Sequence, residues 1–107
     1  MKRFGQLIGV KPDVFEEYKR YHAAVWPGIL KMIYDCNLRN YSIFHRDNLL
    51  FAYFEYVGDD FDGDMARMAA DPETQRWWDI MKPMQAPIPT RAEGEWWANL
   101  DEVFHTE

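Results

Sequence analysis

Arg39-Asn-Tyr-Ser-Ile-Phe-His-Arg-Asp-Asn-Leu-Leu-Phe-Ala-Tyr-Phe-Glu-Tyr-Val57 contains two strand-like runs, Arg39 to His45 and Leu49 to Val57, around the turn residues Arg46-Asp47-Asn48. Aromatic and β-branched residues alternate on both sides of that polar break, which predicts a β-hairpin. On the first run Tyr41, Ile43 and His45 share a face, opposite Asn40, Ser42 and Phe44. On the second, Leu50, Ala52, Phe54 and Tyr56 oppose Leu49, Phe51, Tyr53 and Glu55. Both faces of the second run are largely apolar. That pattern is expected of a central strand with helices on one side and something enclosed on the other.

Upstream, Arg3 to Val10 also alternates, with Phe4, Gln6, Ile8 and Val10 on one face and Gly5, Leu7 and Gly9 on the other. It reads as a strand whose glycine face lets another backbone, or a ligand, approach closely. Lys11-Pro12-Asp13 breaks the strand and starts a helix. Either Pro12 is its first residue or Asp13 is the N-cap, with Glu16 closing a capping box. Trp26-Pro27 interrupts that helix, because proline disfavours a helical backbone in the residue before it. Pro27 then opens a second helix to about Cys36-Asn37, with Trp26 at the corner.

Downstream, Gly58-Asp59-Asp60 ends the hairpin and begins a helix carrying Phe61, Met65, Met68 and Ala69 on one face. Asp71-Pro72-Glu73 is a new start, with an N-cap, a first-position proline and an acidic first turn. That helix carries Trp77, Trp78 and Met81 and stops near Pro83. Pro87 to Thr90 reads as linker, and Glu102-Val103-Phe104-His105 reads as a last short strand. The order β-α-α-β-β-α-α-β predicts an α+β, ferredoxin-like domain over residues 1–107, a four-stranded antiparallel sheet with helices on one face. Such a sheet leaves one face open, and pairing two of them in a homodimer is the usual remedy.

With 107 residues the chain has room for one core. Five Trp, six Tyr and seven Phe exceed what filling it requires, and the surplus suits a ligand pocket or an oligomer interface. A net charge of −6 argues against nucleic-acid or anionic-membrane partners and suits a neutral or cationic ligand. The single cysteine, Cys36, permits no internal disulfide, and no apolar run approaches a membrane span. The first residues lead into a strand, not a signal-peptide core. A soluble cytoplasmic protein is expected.

For chemistry the chain offers Tyr18 and His22, one turn apart on one face of the first helix together with Val14, Phe15, Val25 and Trp26. A histidine so placed is either a packed core residue or a catalytic acid/base. Trp77 and Trp78 point about 100° apart on their helix. Both can pack in the core, or one can border a cavity as a platform for the C–H face of a sugar ring. No phosphate loop, nucleophile elbow or His-x-x-x-His pair is present. The acids Asp59, Asp60, Asp62 and Asp64 fall at a helix start, where acids are favoured anyway. No metal and no cofactor is expected.

Glu17-Tyr18 followed by His22, then Trp26-Pro27, Asn40-Tyr41, Gln75-Arg76-Trp77-Trp78 and Glu102-Val103-Phe104 resemble the L-rhamnose mutarotase family, in the same order over nearly the whole length. The resemblance implies a dimeric α/β-barrel of ferredoxin-like subunits that interconverts the α and β anomers of a 6-deoxy-L-hexose. It implies that His22 acts as general acid and that Tyr18, Tyr41, Trp77 and Trp78 contact the sugar. Two departures bear on the substrate. Gly28 stands where an acid commonly follows the Trp-Pro pair, and Thr90 to Trp97 replaces a shorter, more polar connection. L-fucose therefore stands beside L-rhamnose as an expected substrate. The alternative readings are a haem-degrading oxygenase on the same fold and a non-catalytic sugar-binding module. A Soret shift on haem titration marks the first, and sugar binding without anomer exchange marks the second.

Overall fold

The sheet is centred on β1 (Lys2–Val10), both of whose edges are taken. On one edge it runs antiparallel to β3 (Leu49–Tyr56), from Lys2 opposite Tyr56 to Gly9 opposite Leu49. β2 (Leu38–Arg46) pairs with the far edge of β3. The other edge of β1 is shared by two short strands, β4 (Gln85–Ala86) and β5 (Ala98–Leu100). Helices α1 (Phe15–Ala23) and α2 (Pro27–Asp35) connect β1 to β2, while α3 (Phe61–Ala70) and α4 (Pro72–Met81) connect β3 to β4. The computed structural model describes residues 1–107. Its antiparallel sheet has five strands where four are expected, because two short strands share one edge of β1, and with helices against one face it is otherwise the expected α+β, ferredoxin-like architecture.

The hairpin closes on Asp47 and Asn48 alone, whose φ angles are 53° and 61°. Two successive left-handed residues match the right-handed twist of the strands they join, so Arg46 stays in β2. The register of β2 against β3 shifts between Arg39 and Ser42. The extra residue is Asn40, at φ 51°, whose amide donates to Glu55 Oε1 at 2.8 Å. Asparagine tolerates this backbone better than most residues. Because of the bulge, Leu38 and Tyr41 both face the helices despite their odd spacing, and the Tyr41 ring lies 5.3 Å from that of Phe54.

The helix starts follow from local chemistry. Asp71 accepts from the Thr74 backbone at 2.9 Å and from its hydroxyl at 2.8 Å, while Asp60 caps α3 through Gly63. Of the two starts open to the first helix, the proline-led one is realised. Pro12–Val14 form a 3₁₀ turn that continues into α1, and Asp13 makes no cap hydrogen bond. Trp26 adopts φ −59°, ψ 136° before Pro27, which ends α1 and starts α2 as the sequence predicts. The corner is packed: Trp26 and Trp77 meet edge to face at 5.1 Å.

One expected element is absent. Glu102 to His105 is not a strand but an exposed segment without regular structure, with Val103 94% exposed. Pairing on this edge of β1 stops at Gly5 opposite Leu100, and beyond it the tail meets β1 through a side-chain contact and not through a backbone ladder. Arg3 still ties this tail down, with Nη2 donating to Glu102 Oε1 at 3.0 Å. The glycine face of β1 has the use expected of it at Gly9, where an added Cβ would sit 2.5 Å from the Ala86 carbonyl oxygen. At Gly5 the nearest atoms, on Leu100, lie at an ordinary 3.7 Å. Gly9→Ala is therefore expected to cost about 1–3 kcal/mol, as overpacking does. Gly5→Ala should leave the urea midpoint nearly unchanged, and equal midpoints for the two variants would contradict the account.

Candidate active site

A cavity of about 750 Å³ lies between the helices and the inner face of the sheet, within the size range of small-molecule sites. All five residues singled out from the sequence, Tyr18, His22, Tyr41, Trp77 and Trp78, line it. α1 supplies the first two, β2 supplies Tyr41 through the Asn40 bulge, and α4 supplies the indoles.

His22 sits in the last turn of α1 with its Nδ1 2.8 Å from the Tyr18 carbonyl oxygen. A carbonyl only accepts, so Nδ1 carries the proton and donates it. Nε2 has no protein partner and is the acceptor of the neutral ring. The Tyr18 ring stacks on the imidazole at 4.3 Å, and the Trp77 edge closes the other side at 5.5 Å. Burial in this aromatic clamp lowers the His22 pKa, and the bond to the Tyr18 backbone opposes it only in part. At neutral pH the ring is therefore uncharged.

Tyr18 is 3% exposed, and its hydroxyl oxygen accepts from Gln85 Nε2 at 3.1 Å. Burial raises its pKa, and the donated bond from Gln85 partly offsets this. Tyr41 lines the same cavity and keeps 38% of its surface open, yet burial first and Tyr18 second push its pKa up to about 12. The two observations agree if its open surface is the surface facing the cavity, walled by protein and free for a ligand.

The two indoles of α4 divide their work as the 100° offset suggests. Trp77 is buried among Tyr21, His22 and Trp26 and forms the wall behind the imidazole. Trp78 is half-buried, and the Lys82 ammonium lies 5.6 Å from its ring centre and 5.4 Å from that of Trp96. Sequence reasoning missed Gln85 as a site residue and left Trp96 and Trp97 unassigned, although all three line the cavity. Only one signal for Gln85 was available, a polar residue set between Met84 and Ala86, and it does not distinguish a buried amide from an exposed one.

The family model described as L-rhamnose mutarotase matches residues 3–106. The chain belongs to the L-rhamnose mutarotase family. It is 36% identical to the L-rhamnose mutarotase of Phocaeicola vulgatus and 32% identical to that of Oceanobacillus iheyensis, in each case over 100% of both chains. The solved L-rhamnose mutarotase from Formosa agariphila superposes with a TM-score of 0.78 at 24% identity, covering 100% of both chains. Tetracenomycin F2 cyclase from Streptomyces glaucescens superposes with a TM-score of 0.71 at 14% identity. At these identities the two likenesses attest the fold alone.

Both departures of this mutarotase-family chain have a structural counterpart. The space a side chain on Gly28 would fill is taken by the Glu73 carboxylate, which brings an acid to the first turn of α2 from a different helix. The segment after Pro87 carries Trp96 and Trp97 to the cavity.

The lowered His22 pKa sets a sign for stability. As pH falls below about 6.5, the unfolded chain's histidine binds a proton that the folded one does not take until its own lower pKa is reached. Stability contributed by the neutral ring is thus lost on acidification through that window. Urea midpoints at pH 7.5 and 5.5 are expected to fall further for the native chain than for His22→Gln. Parallel pH dependences would contradict the assignment of a buried, neutral imidazole.

Proposed function

We propose that the chain catalyses the interconversion of the α and β anomers of L-rhamnose, with His22 as the principal acid/base. The observation that carries the reading is an unpartnered imidazole nitrogen, His22 Nε2, held in an aromatic clamp inside a largely apolar cavity. Opening the hemiacetal moves the anomeric hydroxyl proton to a base while the C1–O5 bond breaks and O5 takes a proton from a second group, which carries the balancing negative charge until closure. Rotation about C1–C2 and reclosure reverse both transfers, so charge and oxidation state are unchanged. A neutral imidazole whose Nδ1 is engaged enters the opening step as base and, as imidazolium, returns the proton on closure. The family resemblance names this histidine a general acid, and the closing half-reaction is where that role falls. Tyr18 and Tyr41 bind sugar hydroxyls, and Trp78 takes the apolar face that carries the methyl group, with Trp77 behind it. No metal or cofactor enters this scheme.

Family membership supports L-rhamnose over L-fucose, and the added indoles near the cavity are the reason to assay both sugars. It does not favour the haem-degrading or the binding-module reading. We propose further that residues 1–107 act as one domain in a cytoplasmic homodimer. Leu7, Phe44, Phe51 and Leu100 lie on the side of the sheet away from the helices, with Phe44 64% exposed, and a second copy would cover them. No helix is long and apolar enough to cross a membrane, and Cys36 is a free, buried thiol, which suits a reducing compartment.

Saturation-transfer NMR of anomer exchange tests the reaction and the sugar together. Exchange of L-rhamnose should accelerate, D-glucose should not respond, and His22→Ala should lower the catalysed rate by roughly 10²–10⁴-fold, the usual scale of acid/base catalysis. Acceleration of no sugar would sink the enzymatic reading. Sedimentation of the same sample as a monomer at micromolar concentration would remove the homodimer.

A further inference from the structure

We infer that Gln85 is a positioning residue which, locked by Trp96, turns the Tyr18 hydroxyl proton toward the cavity. The inference rests on the proposed reaction for its use, but its geometry stands on three side chains alone. Trp96 Nε1 lies 2.8 Å from Gln85 Oε1, and Gln85 Nε2 lies 3.1 Å from the Tyr18 hydroxyl. An amide's oxygen and nitrogen look alike by shape, so the orientation of such a group must be decided by what it faces. An indole N–H can only donate. The end of Gln85 that meets Trp96 is therefore the oxygen, and the end that meets Tyr18 is the NH₂ group.

The consequence passes to the phenol. Its oxygen uses a lone pair to accept from Gln85, so its own hydrogen lies elsewhere, in the other in-plane position that conjugation with the ring favours. That position points away from Gln85, and no other protein group receives the hydroxyl. Tyr18 is thus a donor to whatever fills the cavity, and His22 Nε2 beside it is an acceptor. Opening a hemiacetal needs such a pair, one group to take the O1 proton and one to hydrogen-bond or protonate the departing O5. The second group, which residue types alone did not identify, is supplied by a polarity fixed two side chains away.

The lock is rigid for structural reasons. Gln85 is 6% exposed, and turning its amide over would set its N–H against the Trp96 N–H, a clash that no rotation of the phenol relieves. Its backbone is pinned opposite Val10 in β4, and Lys11 N donates to the Met84 carbonyl at 2.9 Å just before it. Trp96 arrives from residues 87–97, the segment that leaves the sheet between β4 and β5. This excursion has a task beyond shaping the cavity: it carries the donor that decides which way the amide faces.

The polarity can be read without any assay of activity. With 3-fluorotyrosine at position 18, whose lower intrinsic pKa keeps the titration within the folded range, the ¹⁹F shift is followed against pH. Gln85→Met removes a bond donated to the phenol oxygen and should raise the pKa of that group. A fall would mean that the phenol donates to the amide, and the inference would be overturned. In the exchange assay, Gln85→Glu offers only acceptors, so the Tyr18 proton turns inward and the rate at saturating L-rhamnose should drop on the order of tenfold. Gln85→Met, which merely releases the phenol, should lose about two- to threefold at most. Equal losses in the two variants would overturn the inference. In a Tyr18→Phe background Gln85→Glu should add nothing, and an undiminished extra loss there would assign Gln85 a purely structural role. Should Gln85→Glu fail to fold, Trp96→Phe, which frees the amide to rotate, should lower the rate while leaving the KM for L-rhamnose nearly unchanged. A rate equal to that of the native chain would contradict the lock. If the native chain exchanges no sugar, the proposed reaction fails while the fluorine titration still decides the hydrogen-bond polarity.

Discussion

The missing side chain at Gly9 is the constraint from which the arrangement of the site descends. It allows the Ala86 backbone to lie against β1 at a separation no Cβ would permit, and this contact pins the short strand β4. Gln85, opposite Val10, is then carried under the Tyr18 hydroxyl. Because β4 uses only the end of that edge, the middle remains for Ala98–Leu100, and the chain between must leave the sheet and return. The returning limb brings Trp96 to Gln85 and Trp97 to the helix layer. A backbone approach at one glycine thus determines which polar atoms meet at the far end of the cavity.

The helix side of the cavity rests on a different and more local rule. Side chains four apart on α1 overlie one another, so the His22 ring stacks on Tyr18 and bonds the Tyr18 carbonyl within the same turn. That carbonyl also serves the helix ladder, and its second lone pair is the one His22 uses. The imidazole therefore needs no carboxylate partner to fix its tautomer. The absence of an acid beside it is also why burial prevails and its pKa moves down.

Features governed by near neighbours were legible in the residues, and those governed by distant partners were not. Pro27, Asp71-Pro72 and Asp47-Asn48 act within one turn, and the elements they predict are present. The cavity side chains of α1 and α4 followed from helical spacing. The Asn40 bulge did not, because simple alternation already put Tyr41 on a face with Ile43, and only pairing with β3 reveals the extra residue that also turns Leu38 inward. Glu102 to His105 looked like a strand because composition records a preference for a sheet and not whether a backbone ladder continues, and here pairing ends at Leu100. Gln85 and Trp96 escaped because their meaning lies in each other and in Tyr18, which is 67 positions from Gln85.

The side chains around His22 argue for a neutral ligand there, and the one cation of the lining, Lys82, lies against the Trp78 and Trp96 rings. The three polar side chains supplied by α1 and β2 all have their charged forms disfavoured by burial. His22 is held below its ordinary pKa, Tyr18 above, and Tyr41 up to about 12, so each is uncharged near pH 7. An ionic substrate entering here would surrender its hydration and gain no counter-charge from these groups. A polyhydroxylated ring surrenders only hydrogen bonds, and two phenols and an imidazole return them while the indole faces cover its C–H surface. The same neutrality suits a reaction that ends with the charge it began with. Opening creates a transient imidazolium and a matching negative charge shared between O5 and the phenol that donates to it, and the Tyr18 carbonyl on Nδ1 is already oriented to stabilise the imidazolium when it forms.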